Sequence, residues 1–556
     1  MRFLPVTSNA LLVELADLDQ TLALLASLQR DPLCGVDELV PAARTILVHF
    51  RPSATSAAAL VRSIAARDLS QRVERSSVLV EIPVRYDGED LAEVAHLLGI
   101  TPDEVVRRHA GSEYTVAFTG FAPGFAYLSG GHPSLDVPRR STPRTRIPAG
   151  AVGLAGTFSG VYPQASPGGW QIIGITPVAM WDLGREQPAL LQPGYRVRFV
   201  EIATLDGAFD TASVGGTVPD VSPAADLGSH PSAARGAAAL KVKGTGLLTV
   251  FQDLGRHGQA GQGVSASGAM DQAALKTANR LVGNRSDGAA LETVGGGLQL
   301  QSHGETVLAV TGADAPLTVR TTDGRQWSVP SHQAVALAAG DTLSIGQPVA
   351  GARCYVAARG GFAVAPVLGS CATDTLANVG PAPLKVGDVL GLLPAPAGAV
   401  VGMPTQPAPD LPNIEQEVVL DVVLGPRTDW FTRESVARFA AQRWQVTPQS
   451  NRVGLRLAGE MPLERAIPGE LPSEGTALGA LQVPPSGQPV LFLADHPLTG
   501  GYPVIGAVAP HHLDRAGQIP VGAWLRFNPI GAFAELNSTE LQPSARLSAH
   551  TNRDLR

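Results

Sequence analysis

Gly168-Gly169-Trp170-Gln171-Ile172-Ile173-Gly174 returns far down the chain as Gly500-Gly501-Tyr502-Pro503-Val504-Ile505-Gly506. A second pair follows each copy at a similar distance: Gly194-Tyr195-Arg196-Val197-Arg198-Phe199 and Gly522-Ala523-Trp524-Leu525-Arg526-Phe527. Two echoes in the same order point to two copies of one folding unit. Paired glycines let backbone approach closely or take positive φ, and the aromatic then opens a β-branched strand. At the least both are turns into a barrel strand. Gly500, Gly501 and Tyr502 are also candidates to line a binding site.

Working outward, the chain of 556 residues is too long for one core and should divide into several domains. Its 44% hydrophobic and 16% charged content describes a well-buried globular protein. A net charge of −7 argues against a nucleic-acid surface. Lysine is confined to Lys241, Lys243, Lys276 and Lys385, so no GxxxxGK[ST] phosphate loop can be written and a Ser-Ser-Lys amidase triad has little to draw on. No Met-Lys biotin-attachment site is present either. Cys34, Cys354 and Cys371 are scattered, which indicates neither a zinc site nor a disulfide framework and fits a reduced cytoplasmic compartment. Glu14, Asp17 and Asp19 interrupt the only apolar stretch near the start, so no signal peptide is read. No apolar run is long enough to span a membrane.

The pattern is mainly β with α+β parts. Residues 1–85 alternate strands (Ala10–Leu15, Thr45–Phe50) with helical spacing at Leu18, Leu22, Leu25 and Leu28 and near Ser56–Ala66, which predicts a small α/β sandwich. From Leu79 to about Ile202 the pattern turns to short strands with Gly/Pro punctuation and two helices, and residues 86–205 are taken as the unit. Their second helix has a clear start, with Thr101 as cap, Pro102 in the first turn and Glu104 completing a capping box. Residues 206–238 read as a linker, 239–394 as a barrel subdomain, and 395–412 as a Pro-rich connection. Residues 413–540 read as a second barrel of this half, and 541–556 as a tail.

Several blocks could carry chemistry. Residues 118–130, FTGFAPGFAYLSG, form a tight aromatic loop that is either a packed turn or a ligand wall. Arg139, Arg140, Arg144 and Arg146 follow on a proline-stiffened backbone and suit a carboxylate or phosphate; Arg144 and Arg146, just before the Pro148-Ala149-Gly150 turn, are the better candidates. A strand then delivers Gln252, Asp253 and Arg256 to a glycine-bounded turn, a trio able to hold an amide or a carboxylic acid; Asp253 and Arg256 could equally be a turn pair. Ser267 or Asp271 should cap the next helix, and Asn279 on that helix suits a buried backbone group. In the last part the blocks Ser450-Asn451-Arg452-Val453-Gly454, Pro472-Ser473-Glu474-Gly475 and Asp495-His496-Pro497 put the polar candidates Arg452, Glu474, Asp495 and His496 next to Gly or Pro turns. His496 is the natural proton carrier, or else a turn histidine bonded to backbone. No metal site is read.

These blocks carry a resemblance. FTGFAPGFAYLSG, IPAGAVGLAG and YPQASPGGWQIIG resemble the B subunit of the bacterial ATP-dependent 5-oxoprolinase, a family also described as an inhibitor of a sporulation kinase. GLLTVFQDLGRHG, SGAMDQAALKTANRLVGN, SNRVGLRL, LPSEG and FLADHPLTGGYPVIG are similar to the C subunit of the same enzyme. Both sets are similar to the carboxyltransferase region of urea carboxylase, where their order is reversed. The resemblance implies a B–C fusion with cyclophilin-like β-barrels in three of four subdomains. It implies ATP-driven opening of 5-oxo-L-proline to L-glutamate, with Mg, beside a separate A subunit, and leaves homo-oligomers open. By residue type and position, rather than by the resemblance, Asp253, Glu474, Asp495 and His496 are the candidate catalytic groups, with Arg144, Arg146, Gln252, Arg256 and Arg452 among the candidate substrate-binding groups. Two other functions share the motifs: a carboxyltransferase using biotin carried by a partner chain, and a non-catalytic kinase-inhibitory binder.

Overall fold

The structure is a computed structural model that describes residues 1–70, 76–140, 142, 144–203 and 238–537. The tail expected at 541–556, and all of the expected linker except Ala238, lie outside the described residues.

The chain opens with a four-stranded antiparallel sheet in the order Arg2–Thr7, Ala10–Glu14, Thr45–Phe50, Val36–Pro41. Helices Leu18–Arg30 and Ala57–Ala65 bury Leu24, Leu28, Leu60 and Ile64 against one face. Asp17 starts the first helix by accepting from the Gln20 amide at 2.9 Å. The other face carries Leu4, Val6, Leu12 and Leu47, which pack on Ala260, Leu498 and Ala507 of later domains. Covered on both sides, Ala10–Val13 has no exposed face, and this explains its unbroken apolar run.

Leu79–Val84 belongs to the next unit, so the expected boundary at 85 falls one strand too late. That strand pairs in parallel with Arg196–Glu201, a partner far away in sequence and hidden from any local signal. The unit has seven strands, in chain order Leu79–Val84, Glu113–Thr119, Ala126–Ser129, Ala151–Ala155, Phe158–Val161, Gln171–Ile175 and Arg196–Glu201. Their spatial order is sixth, fourth, fifth, third, second, seventh, first, and an Arg85–Ile175 bridge joins the two ends into a barrel.

The last unit repeats this arrangement. Val418–Leu424, Trp444–Val446, Gly454–Ala458, Ala480–Gln482, Val490–Phe492, Val504–Val508 and Trp524–Pro529 close a barrel in the same cyclic order, again with the first and last strands parallel. Each barrel also carries a two-stranded ribbon at the repeated glycines: Arg144–Ile147 with Ser166–Gly168, and Glu474–Gly475 with Thr499–Gly500. The echo therefore marks a true duplication.

Residues 239–391 depart from the barrel expectation. They form two antiparallel sheets, of six and five strands, whose facing side chains share one core including Val242, Phe251, Leu300, Val310, Leu343 and Val356. Each sheet is its own ladder, so the unit is a sandwich. Helix Gln272–Leu281 packs on the outside of the five-stranded sheet through Leu275, Ala278 and Leu281, against Ala309, Tyr355 and Ala357. Asp271 caps it, accepting from the Ala274 amide at 2.8 Å, and buried Asn279 donates to the Gly288 carbonyl at 2.7 Å.

Candidate functional site

Three separate stretches meet where the sandwich touches the second barrel: the turn after strand Leu248–Gln252, the loop of residues 370–378, and the barrel loops holding Arg452 and Asp495. Positive φ at Gly255 (93°), Ser267 (54°) and Gly268 (98°) turns the backbone sharply here, and an added Cβ on Gly255 would stand 2.7 Å from the Ala266 carbonyl.

At its centre Arg452 is fully buried. It donates to both oxygens of Asp495 (3.0 and 2.9 Å), to Glu292, and to the Gly268 carbonyl at 2.7 Å. Asp495 also accepts from the Ser267 hydroxyl (2.7 Å) and from the Thr375 amide and hydroxyl (2.8 and 2.7 Å). Burial alone would push the Asp495 carboxyl upward, but Arg452 and these donors outweigh it and hold it below the usual carboxylate range. Asp495 is thus stabilised as the carboxylate, with both oxygens engaged.

Arg256 is built differently. It is 2% exposed, and its Nη2 donates to the Ala372 carbonyl, yet Nε and Nη1 meet no acceptor. Burial lowers its pKa, opposed by the more distant charges of Asp374, Asp253 and Asp495. Gln252, also buried, donates to the neighbouring Thr373 carbonyl at 2.8 Å, and its Oε1 is likewise without a donor. Two open donors and one open acceptor thus hang from adjacent carbonyls of one loop. Buried polar atoms are seldom left unpaired, so this arrangement suits a ligand with a carboxylate and an N–H. Asp253 instead ties the loop: it accepts from Gly255 N (2.8 Å), Ser370 Oγ (2.6 Å) and Cys371 N (2.6 Å).

Asp374 is not among the sequence candidates. Its Oδ1 accepts from the Leu376 and Ala377 amides (2.9 and 2.8 Å), while Oδ2 has only the Ser265 hydroxyl at 3.3 Å. Burial, then the nearby Asp495 charge, pushes its carboxyl up to about 6. The one available signal was the polar run Ser370-Cys371-Ala372-Thr373-Asp374-Thr375 in an otherwise apolar half.

The first barrel closes the opposite side. Gln164, which occupies the position of His496 in the duplicated loop, donates to the Leu376 carbonyl at 3.3 Å, and its Oε1 accepts from exposed Asn378. The Phe121 amide donates to Thr499 Oγ1 at 3.0 Å. Phe118, Phe125, Tyr127, Tyr162 and Trp170 pack mainly edge-to-face on one another as core, so most of the aromatic block is a packed turn.

The remaining sequence candidates sit elsewhere. Arg144 is held by Asp90 at 2.8 and 2.7 Å, and Arg146 lies on an exposed position of its strand. Glu474 is buried against Arg427, which also bonds Glu14 at 3.1 Å. These pairs are equivalent across the duplication: Arg144 faces Gly168 as Glu474 faces Gly500, and the amides of Asp90 and Arg427 donate to the carbonyls of Ile172 and Val504. The charges are reversed between the barrels. His496 contacts the Pro497 carbonyl at 3.0 Å and Thr476 Oγ1 at 3.3 Å, with burial holding it neutral. Gly500 and Gly501 lie in the ribbon turn, with Gly501 against Arg139, and Tyr502 is partly exposed beneath Arg465. Among the described residues, Asp421, His511 and His512 place ligand atoms within 4.8 Å of one another on the outside of the second barrel. There His512 Nδ1 already accepts from the Asp421 amide at 2.8 Å.

Residues 1–191 match the family model for carboxyltransferase subdomains C and D, and residues 262–529 match that for subdomains A and B. The chain is 35% identical over 294 residues to the C subunit of 5-oxoprolinase from Escherichia coli K12, covering 52% of this chain and 90% of that one. It is 44% identical over 170 residues to the B subunit from Escherichia coli O157:H7, covering 30% of this chain and 78% of that one. The chain belongs to the carboxyltransferase-domain family of the 5-oxoprolinase B and C subunits. It joins a B-like part to a C-like part, and the site described above draws on both. A crystal structure of the protein TTHA0988 is similar over 93% of this chain and 99% of that one, at 34% identity and a TM-score of 0.77. Urea amidolyase of Saccharomyces cerevisiae is 35% identical over 325 residues, which is 55% of this chain but 17% of that protein.

Proposed function

We propose that this chain supplies the B and C components of an ATP-dependent 5-oxoprolinase, opening 5-oxo-L-proline to L-glutamate together with a separate A subunit. The unsatisfied polar atoms of Arg256 and Gln252 carry the reading. 5-Oxoproline bears one carboxylate and one lactam N–H, the complement of two open guanidinium donors and one open amide acceptor. The B-like and C-like relatives support the same assignment.

ATP with Mg belongs to this reaction, since the lactam carbonyl needs activation before water can open it. The residues of the site do not fit a triphosphate. Arg452 is occupied by Asp495 and Glu292. Arg353 donates to the Gly517 carbonyl and turns its Nε toward Glu292 at 3.7 Å. Arg256 is then the one guanidinium of the site that is not committed to a carboxylate. The A subunit is therefore the proposed holder of the nucleotide. Cytoplasmic residence fits the three unpaired cysteines, Cys34, Cys354 and Cys371.

The test is glutamate release from 5-oxoproline, ATP and Mg with the cognate A subunit present and absent. No release in its presence rejects the reading. A second reading, a carboxyltransferase using biotin on a partner, is favoured by the two carboxyltransferase matches and the urea amidolyase similarity. Carboxylation of a small amide by a biotinylated carrier, without glutamate release, would establish it instead.

A further inference from the structure

We propose that Asp374 is the catalytic base and acid of the lactam-opening step, an assignment that rests on the 5-oxoprolinase reading. Ala372, Thr373 and Asp374 are consecutive. The first two carbonyls hold Arg256 and Gln252, so the group that follows stands beside the ligand they would grip. No carboxylate lies within ion-pair distance of Arg256 among the described residues, so its two open donors remain for a substrate carboxylate.

Glu292 pairs with Arg452, and the other two buried carboxylates around Arg452 and Arg256, Asp495 and Asp374, have separate duties. Asp495 has both oxygens bound by Arg452, Ser267 and Thr375, which favours its charged form. Asp374 has one oxygen anchored by two amides and the other held only by Ser265. The charged groups that act on it are Asp495 from the second barrel, which raises its pKa, and Arg256 from the neighbouring turn, which lowers it. Two carboxylates with environments that separate their pKa values are a recurring acid–base design.

In the step, a water oxygen lone pair forms a bond to the activated carbonyl carbon while one water proton passes to the Asp374 carboxylate. The C=N π pair of the O-phosphorylated lactam moves onto the ring nitrogen. The O–H pair of the new hydroxyl then forms the C=O bond, releasing its proton to solvent, as the ring C–N bond breaks. That bond's pair stays on nitrogen, which takes the first proton back from Asp374, and a second water displaces phosphate from the resulting acyl phosphate to leave L-glutamate. The base is restored, and the only co-reactants are water and the ATP of the proposed reaction.

The test compares wild type and Asp374→Asn, each with the A subunit, across pH 5 to 8. Asparagine keeps the Oδ1 acceptor for Leu376 and Ala377, and its amide can donate to Ser265, so the loop geometry is retained. Wild-type kcat should rise tenfold per pH unit below about 6 and level off above it. Asp374→Asn should lose about 10²-fold or more in kcat, with KM for 5-oxoproline within about threefold and no pH step. A second variant, Ser265→Ala, removes a donor to the carboxylate and should move the midpoint upward. An active wild type whose Asp374→Asn variant keeps more than about a tenth of kcat, or whose midpoint ignores Ser265→Ala, overturns the Asp374 assignment alone. An inactive wild type overturns the functional reading along with it.

Discussion

Buried charge in this protein is of two kinds, and the difference lies in how many partners each residue has. Arg452 is saturated by carboxylates and a carbonyl; Arg256, equally buried, keeps two donors open. Removing the latter should therefore affect binding more than folding. Arg256→Gln is expected to raise KM for 5-oxoproline roughly 10- to 100-fold, the worth of a charge-assisted pair, with little change in Tm; an unchanged KM would exclude Arg256 as the carboxylate anchor. Asp374 makes a stability prediction. Its folded pKa, about 6, is above the ordinary value of 3.8, so its contribution is fully present below the unfolded value and is lost as pH rises through the folded one. Asp374→Asn should thus match wild-type stability near pH 3.5 and exceed it above pH 6, by on the order of 2–3 kcal/mol at most in urea unfolding. Equal stabilities at both pH values would deny the carboxylate its burial cost.

At the scale of elements, the ribbons at the repeated glycines are locked by reversed ion pairs. In the second barrel Arg427 serves Glu474 and Glu14 together, and its loss strands the buried Glu474, while Glu14 keeps Arg2 and Arg44. In the first, Asp90 is shared by Arg144 and Arg140. Arg427→Ala is expected to cost about 3–5 kcal/mol in urea unfolding and Arg144→Ala clearly less, because Arg140 remains. Equal costs would contradict this account. Helix ends show how far local signals reach. Thr101 caps as its spacing predicts, accepting from the Glu104 amide at 3.2 Å. The reciprocal half of the capping box fails, because the Glu104 carboxylate turns to Arg107 and Arg108 at 2.5 to 2.7 Å. Two guanidiniums one turn away outcompete a single backbone N–H.

Across the whole molecule, backbone and side-chain bonds stitch the two parts together: Thr119 Oγ1 to the Ala260 carbonyl (2.8 Å), the Gly124 amide to the Gln262 carbonyl (2.9 Å), and the Ala43 amide to the Ser473 carbonyl (3.1 Å). The aromatic loop of the first barrel is thereby pinned beside the site-bearing turn of the sandwich. A protease site placed between residues 204 and 237 and then cut should leave the parts co-eluting on gel filtration with activity intact. Separation on cutting would show that covalent connection, rather than the interface, holds the site together.

Much of this protein could be read from local chemistry. The glycine-aromatic echo announced the duplication, because Gly-Gly turns and β-branched strands are demands of the backbone itself. The turn carrying Gln252, Asp253 and Arg256 was legible for the same reason. Tertiary structure decided which charges are free. Arg144, Glu474 and Arg256 look alike as sequence, and only the distant partners Asp90 and Arg427 show that the first two are already engaged. Asp374 gained its raised pKa from burial and then from the Asp495 charge, both supplied by packing against other parts of the chain. Availability and acidity are properties of a residue's surroundings, and those surroundings are assembled by long-range packing.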